Sequence, residues 1–282
     1  MQAPSPAERL GYGPEARLII ISCGDLGFCH AANEGVYRAL RNGLGTSGRL
    51  MVPGPWARHA ASAYRGEDVG IRLTLNAEQD LYRWGPITHA PSLLDGDGGF
   101  PRTLDDTWEH ADLDEVRREC RAQVERAVYW GFDVSYVDSH LEALVRRPEF
   151  FDVYLELALD FRLPLRLPGT EVEHTAGFPF RSLAAAEGAV FPDHVVVPGA
   201  LGRAGLERAL QELRPGVTEV SLHPAADTPE LRALDPHWSR RLEDLELVRR
   251  EGLLAELIRR TGAVLVGYRE LRRLARAGLP RA

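Results

Sequence analysis

Titratable and cationic side chains follow several apolar runs of this sequence, at the points where strands would end. They are Asp25, Asp138 with His140, Arg166 and His223. Strand alternation from residue 138 onward predicts that Asp138, His140 and Glu142 lie on one side. A histidine with carboxylates on the same face can bind a divalent metal, and metal-bound water is a nucleophile near neutral pH. Asp25, His140 and His223 therefore indicate a carboxylate–imidazole site for metal-assisted hydrolysis, although a single such histidine is more often an ordinary hydrogen-bonded side chain.

The stretch around Asp25 is the strongest local signal for a site. The apolar run 18–23 predicts a buried parallel strand, because both faces of such a strand meet helices. Gly24 and Gly27 then predict a tight turn that aims the carboxylate outward, and residues 31–40 predict a helix. The carboxyl end of the first strand is where α/β folds place chemistry. The alternative is that Asp25 only caps the following helix.

Short apolar runs alternate with helical patterns along the whole chain, which indicates a parallel sheet or barrel. Besides the first strand, the predicted strands are 46–52, 68–75, 134–140, 163–167, 194–197, 216–223 and 263–266. An α/β fold follows, and an irregular (β/α) barrel of seven or eight mostly parallel strands fits best. An open doubly wound sheet is the second choice. In a barrel the carboxyl ends of the strands converge on one mouth, so distant residues can meet there.

One helix and one long connection are also predicted in detail. Asp112 is expected to cap a helix that ends near Gly131, with Glu115 placed to reach back to the cap. Residues 76–111 are long for a connection, which is typical of a lid or binding loop. Trp84 in this connection suits stacking on a sugar ring, and its alternative role is to pin the loop down.

The composition limits which binding partners and which cellular compartment we expect. The chain has 282 residues and a formal net charge of −7, so a general nucleic-acid binder is not expected. Three cysteines match no zinc spacing, and no segment is long enough to span a membrane. We expect a cytoplasmic protein without a membrane partner, in which residues 1–16 are an N-terminal extension and residues 17–282 form one β/α-barrel domain.

Sequence motifs spread from Leu18 almost to Leu271 resemble those of the YdjC-like family, whose best-known members are chitooligosaccharide deacetylases. The motifs are Gly24-Asp-Leu-Gly27, His30-Ala-Ala-Asn-Glu34, Val69-Gly-Ile-Arg-Leu-Thr-Leu75, Trp84-Gly-Pro86, Phe100-Pro-Arg-Thr103, Tyr136-Val-Asp-Ser-His140, Leu165-Arg-Leu-Pro168, Pro192-Asp-His194, Leu222-His-Pro224 and Gly267-Tyr-Arg-Glu-Leu271. The resemblance implies a barrel of the glycoside hydrolase and deacetylase type with a divalent metal, Mg or Zn, at its mouth. It also implies a small carbohydrate-like substrate with an N-acetylated sugar, from which the acetyl group is removed. A homodimer is the oligomer that we consider.

The resemblance assigns roles to individual residues. Asp25 and His140 match metal ligands of the family, and His223 matches the histidine that acts as general acid. Two positions depart from the pattern: Gly24 replaces an aspartate that resembles the catalytic base, and Arg72 replaces a ligand histidine. The catalytic candidates are therefore His223 and Asp25, the metal candidates are Asp25 and His140, and the candidates for substrate binding are Arg166, Arg72, Glu142 and Trp84.

The departures lead to a specific hypothesis about the mouth. A guanidinium has no lone pair for a metal and stays charged, so it would repel a cation at the third ligand position. We expect Arg72 to replace the metal and to pair with Asp25 and Glu142. On the sequence alone, the substitution of Gly24 by Asp together with Arg72→His is predicted to recover metal binding.

Two functions stay open at this stage. The first is a hydrolase of acetylated or other carbohydrates that uses His223 as acid and Asp138 or Glu142 as a variant base. The second is a non-catalytic relative that binds a sugar or another small polar ligand in the same mouth. A β/α-barrel isomerase or aldolase is disfavoured, because the chain has no lysine for a Schiff base and no glycine-rich phosphate loop.

Overall fold

A computed structural model describes residues 4–277 of the chain, and residues 199–203 of these by their backbone alone. It contains one sheet whose strands are β1 (Arg17–Leu26), β2 (Ser47–Leu50), β3 (Val69–Leu73), β4 (Val134–Ser139), β5 (His194–Val196), β6 (Gly216–Leu222) and β7 (Val264–Leu265). The strand order is β4-β3-β2-β1-β6-β5, and β7 pairs with the beginning of β1. Every strand pair is parallel.

Helices connect most of the strands and cover the outside of the sheet. They are α1 (Pro6–Arg9), α2 (His30–Asn42), α3 (Ala57–Ala63), α4 (Leu104–His110), α5 (Leu113–Tyr129), α6 (Pro148–Phe161), α7 (Thr170–Ala176), α8 (Phe180–Ala186), α9 (Pro198–Gln211), α10 (Pro229–Leu234), α11 (Trp238–Leu247), α12 (Leu253–Thr261) and α13 (Tyr268–Ala277). Two 3₁₀ turns lie at Pro91–Leu93 and His140–Glu142. Within residues 4–277, no helix is both long and apolar enough to cross a membrane.

The predicted α/β architecture with seven parallel strands is confirmed, and the sheet is curled into a half-barrel. One of the eight predicted strands, residues 163–167, is not a strand in the structure. It makes a single parallel bridge, between Leu165 and Val137 of β4. Pro164 has no N–H to donate, so the ladder cannot extend through it.

Strand alternation divides the buried residues into two groups. On β1, Ile19 and Ile21 face the outer helices, whereas Leu18 and Ile20 face the inside of the half-barrel. The inner apolar group consists of Leu18, Ile20, Tyr136, Val190, Val217, Val266, Tyr268, Leu271, Leu274 and Ala7 of α1. This group fills the half-barrel at the amino-terminal part of β1, so the space nearer the carboxyl ends is left for other side chains. The expected boundary of the N-terminal extension at residue 16 remains a prediction.

The helix α5 is capped as expected only in part. The side chain of Asp112 accepts hydrogen bonds from the backbone N–H of residues 114 and 115. Glu115 does not reach back to the cap; its carboxylate accepts from the N–H and hydroxyl of Ser92 instead. The Ser92 hydroxyl in turn accepts from the Asp112 N–H, so a residue of the long connection takes the place expected for Glu115.

Candidate functional site

A layer of charged side chains lies inside the half-barrel, beyond the inner apolar group toward the carboxyl ends of the strands. Its members on the strands are Asp25 of β1, Arg49 of β2, Arg72 of β3, Asp138 of β4 and Glu219 of β6. Arg72 is the register partner of Asp138, so adjacent parallel strands bring these two residues side by side. Arg166 joins the layer from the segment after residue 165. Buried charges at this density must pair with one another, because an isolated buried charge is very costly.

Arg72 and Asp25 form a close ion pair at the centre of the layer. Arg72 Nη1 donates to Asp25 Oδ1, and Arg72 Nε lies 3.2 Å from Asp138 Oδ2. On the other side, Arg241 Nη2 of α11 lies 3.5 Å from Asp25 Oδ2. Burial alone would raise the pKa of Asp25, but Arg72, with further help from His223, Arg241 and Arg49, holds it well below its usual value. Asp25 is therefore a carboxylate already neutralised by guanidinium groups.

Arg49 is a second cation of the site, and sequence analysis missed it. Its side chain is 1% exposed and donates to the Ser221 hydroxyl at 2.9 Å and to the Leu222 carbonyl at 3.3 Å. It passes directly over Gly24, where an added Cβ would stand 2.8 Å from Arg49 Nη2. The space of the missing side chain at residue 24 is thus filled by a guanidinium. A charged residue in the middle of a predicted buried strand was the signal that could have identified it.

His223 follows β6 and faces the two guanidiniums. Its Nε2 accepts from Arg49 Nη2 at 3.2 Å and lies 3.4 Å from Arg72 Nη1. Burial lowers the pKa of His223 well below its usual value, and although Asp25 opposes this, Arg49 and Arg72 add to it. A neutral imidazole with its Nε2 lone pair turned to cations has no proton to give at that nitrogen. The role of His223 as general acid remains a prediction.

His140 and Glu142 depart from the expected strand geometry. The strand ends at Ser139, and Leu141 and Glu142 have φ values of 50° and 62°. This left-handed turn breaks the alternation that would have put Glu142 on the side of Asp138. His140 Nε2 pairs with Glu78 Oε2 at 2.9 Å.

Glu142 turns instead to other arginines. It accepts from Arg146 Nη2 at 2.6 Å, and its other oxygen lies 3.7 Å from Arg166 Nη1. The expected pair between Arg72 and Glu142 is therefore wrong: in the described part of the chain the ion partners of Arg72 are Asp25 and Asp138. Arg166 also lies 3.3 Å from Glu219.

The residues present do not fit a divalent metal of the kind that the family implies. Across residues 4–198 and 204–277, no three His, Cys, Asp or Glu side chains are grouped so that they could hold a metal ion. The nearest group to Asp25 is the Arg72 cation, and His140 is paired with Glu78. The geometry provides a preformed set of guanidinium groups, which can donate to hydroxyl and carbonyl oxygens of a small polar molecule, and of buried carboxylates, which can accept from its hydroxyl groups.

Trp84 lies next to the site but is 4% exposed. Its indole N–H donates to the Asn76 carbonyl at 2.7 Å, and its ring contacts Phe28 and Tyr82 edge to face. These contacts hold the long connection against the end of β1. They agree with the packing role of Trp84 that was the alternative to sugar stacking. Stacking of a sugar on Trp84 remains a prediction.

Comparisons with known proteins agree on one family. The chain is 39% identical over 245 residues to a carbohydrate deacetylase of Thermus thermophilus, covering 84% of this chain and 88% of that protein. It is 30% identical to a carbohydrate deacetylase of Geobacillus stearothermophilus, covering 92% of this chain and 99% of that protein. A chitooligosaccharide deacetylase of Yersinia pestis is 30% identical over 56% of this chain and 62% of its own length.

Among solved structures, the fold matches that of an Enterococcus faecalis protein described as a candidate cellobiose-phosphate cleavage protein. The TM-score is 0.78 at 23% identity, over 91% of this chain and 99% of that one. The family model described as YdjC-like protein matches residues 18–258. The proteins of Thermus thermophilus and Geobacillus stearothermophilus to which this chain is similar are carbohydrate deacetylases. The chain belongs to the YdjC-like family.

Proposed function

We propose that this chain binds a small carbohydrate at the mouth of the half-barrel through its guanidinium–carboxylate layer, and that it has lost metal-dependent deacetylation. The observation that carries the proposal is the position of two arginines. Arg72 pairs with Asp25, and Arg49 fills the space beside Gly24. Asp25, the carboxylate that matches a metal ligand, is thereby already paired with a guanidinium. A divalent cation would have to displace this guanidinium from a buried ion pair.

The carbohydrate class is supported by the three relatives named above, which are carbohydrate and chitooligosaccharide deacetylases. Sugar hydroxyl and acetamido oxygens accept hydrogen bonds, and arginine is a donor that keeps its charge at every relevant pH. Arg241 Nη1 is buried without a protein hydrogen-bond partner, which leaves one donor for a ligand beside Asp25.

A hydrolase without a metal is the second candidate function. It is favoured by the presence of Asp25, His223 and several guanidiniums in one site, because arginines can stabilise an oxyanion that develops during acyl transfer. In that case Asp138 would be the variant base, and its Oδ2 carries no hydrogen bond in the described structure. The two functions differ in whether acetate is released.

The test measures binding and turnover on the same preparation. Purified protein is titrated calorimetrically, with and without EDTA, with N-acetylglucosamine and its β-1,4-linked dimer and trimer. Acetate release is then followed in EDTA and, after EDTA is removed, with added Zn²⁺ or Mg²⁺. Binding that is unaffected by EDTA, without acetate release, is the expected result. Acetate release that requires added metal would contradict the proposal, and release in EDTA would support the second candidate.

A matched control separates the site from surface charge. Arg72→Gln is expected to weaken oligosaccharide binding, because it removes a hydrogen-bond donor and leaves the charge of Asp25 without its nearest counter-ion. Arg232→Gln removes an exposed arginine that pairs with Asp227 at 2.7 Å, and it should leave binding unchanged.

A further inference from the structure

An aromatic cluster after the carboxyl ends of β1 and β2 has no part in the site described so far. The rings of Trp56, His30 and His59 form a triangle, in which the Trp56 centroid is 5.3 Å from that of His30 and 5.4 Å from that of His59. The two imidazoles are 5.0 Å apart. Trp56 and His30 are half-buried and His59 is exposed, so the rings form a surface that solvent reaches. We call these three residues the Trp56 cluster.

The Trp56 cluster is anchored to the turn at Gly27, which directly follows β1 and lies two residues after Asp25. The backbone N–H of Trp56 donates to the Gly27 carbonyl at 2.9 Å. Asn33 Oδ1 accepts from the Gly27 N–H at 2.7 Å, and its amide Nδ2 donates to the Trp56 carbonyl at 3.1 Å. These bonds fix the cluster relative to the end of β1.

The same amide fixes the tautomer of His59. Since the Gly27 N–H must donate to Asn33 Oδ1, the amide nitrogen points away from that turn and donates to His59 Nδ1 at 3.1 Å. The neutral ring of His59 then carries its proton on Nε2. Its free nitrogen is consequently a hydrogen-bond donor beside an aromatic surface, a combination that suits a hydroxylated ring better than a metal ion.

The position in the fold places this surface at the mouth. Trp56 follows β2, and His30 follows β1, which are adjacent parallel strands. Both residues come after the carboxyl ends of those strands, on the same edge of the sheet as Asp25. Asp25 and the Trp56 cluster therefore both lie at the end of the half-barrel where the strands have their carboxyl ends.

We propose that the Trp56 cluster is a second sugar subsite, in which one pyranose ring stacks on Trp56 while His59 Nε2 donates to a ring hydroxyl. The inference rests on the proposed function, since it extends the carbohydrate from the charged layer onto a neighbouring surface. The ligand class is a linear oligosaccharide of at least two hexose units. One unit lies in the charged layer and the next on the aromatic side chain, because sugar rings present apolar C–H faces that aromatic rings can cover.

The test compares the β-1,4-linked N-acetylglucosamine dimer with the monomer by calorimetry on the full chain. Trp56→Ala is expected to weaken dimer binding about tenfold while monomer binding changes less than about twofold. Trp56→Phe keeps an aromatic face and is expected to lose less than about threefold. Trp130→Ala is the matched control, because Trp130 is also half-buried but precedes β4, at the opposite edge of the sheet.

The possible outcomes separate the subsite from the function on which it rests. Equal dimer affinity in wild type and Trp56→Ala overturns the subsite and leaves carbohydrate binding in place. Absence of any sugar binding by the wild type overturns both. Should Trp56→Ala fail to fold by circular dichroism, the dimer-to-monomer ratio of Trp56→Phe and of His59→Ala decides, and an unchanged ratio in both overturns the subsite.

Discussion

The guanidinium of Arg49 occupies the position that a side chain on residue 24 would need, with Nη2 2.8 Å and Nε 2.9 Å from a Cβ placed there. Gly24 and Arg49 are therefore a complementary pair: one supplies the space and the other fills it with charge. A side chain on residue 24 would therefore require the Arg49 guanidinium to move.

Metal binding should return only when Arg49 is shortened together with the two changes predicted from sequence. Gly24→Asp with Arg72→His leaves Arg49 beside the new carboxylate, where it replaces a metal as the counter-ion. Adding Arg49→Ser removes that cation. We expect Zn²⁺ to bind the triple variant at least about tenfold more tightly than the double variant, measured by calorimetry.

Arg49→Ser alone is the control for this experiment, and it should bind no Zn²⁺, because Arg72 still neutralises Asp25. Equal Zn²⁺ affinity of the double and triple variants would show that Arg49 does not block the site.

Removal of Arg72 should destabilise the fold strongly, because the buried Asp25 and Asp138 lose their nearest cation. The expected cost of Arg72→Ala is about 3–5 kcal/mol in the free energy of unfolding, measured in urea. Asp25→Asn in the same chain should recover part of it, so that the double variant loses less stability than the two single variants together. Arg121→Ala, which breaks an exposed pair with Asp160, should cost about 0–1 kcal/mol. Additive effects of the Asp25 and Arg72 changes would contradict the pairing.

The stability of the protein should fall on acidification below about pH 6.5, and His223 should cause part of the fall. Its pKa is lower in the folded state, so the unfolded chain takes up the proton first and stability is lost as the pH drops below the unfolded value. Asp25 acts in the same direction at lower pH, because its folded pKa is also lowered and its stabilisation is lost below its unfolded pKa.

Asp244 acts in the opposite direction. Burial raises its pKa to about 6, so it favours the folded state as the pH falls from about 6 toward its unfolded value. The contribution of His223 is isolated by subtracting the unfolding curve of His223→Gln from that of the wild type between pH 4 and 8. A difference that does not vary with pH would mean that the imidazole titrates alike in both states.

Tyr268→Phe should destabilise the protein by about 1–3 kcal/mol, because it removes a hydrogen bond to a buried carboxylate. The Tyr268 hydroxyl donates to Glu219 Oε2 at 2.9 Å, and its ring stacks on Tyr136 with centroids 3.6 Å apart. The substitution keeps the ring and therefore tests the hydroxyl. Thermal and urea unfolding measure the effect, and Tyr129→Phe, at an 84% exposed position, is the neutral control. Equal stability of both variants would show that Glu219 is satisfied without Tyr268.

Much of the fold could be predicted from the pattern of the sequence. The apolar runs after residues 17, 133 and 215 correspond to strands, because each is long enough to be buried on both faces. The close pair of Asp25 with Arg72 was also expected, because the family resemblance puts both residues at metal-ligand positions of one site. The position of Glu142 was predicted wrongly, because residues 141 and 142 form a left-handed turn without the glycine that usually indicates one in a sequence.

The residues missed, Arg49 and Glu219, show the limit of sequence patterns. Each lies inside a predicted strand, but the pattern cannot say whether an alternating position faces the helices or the interior of the half-barrel. That choice depends on how the strands curve and pair, and both residues face the interior beside residues far away in sequence.

The sequence by itself determined seven of the eight predicted strands, the helices that begin near residues 30 and 112, the family and the residues at positions 24 and 72, because these depend on residue type and local periodicity. Only the tertiary structure decided which of the many arginines enter the half-barrel and which carboxylates they meet. The physical reason is that a buried charge is stable only beside a partner of opposite charge, and the register of strands distant in sequence decides which partner that is.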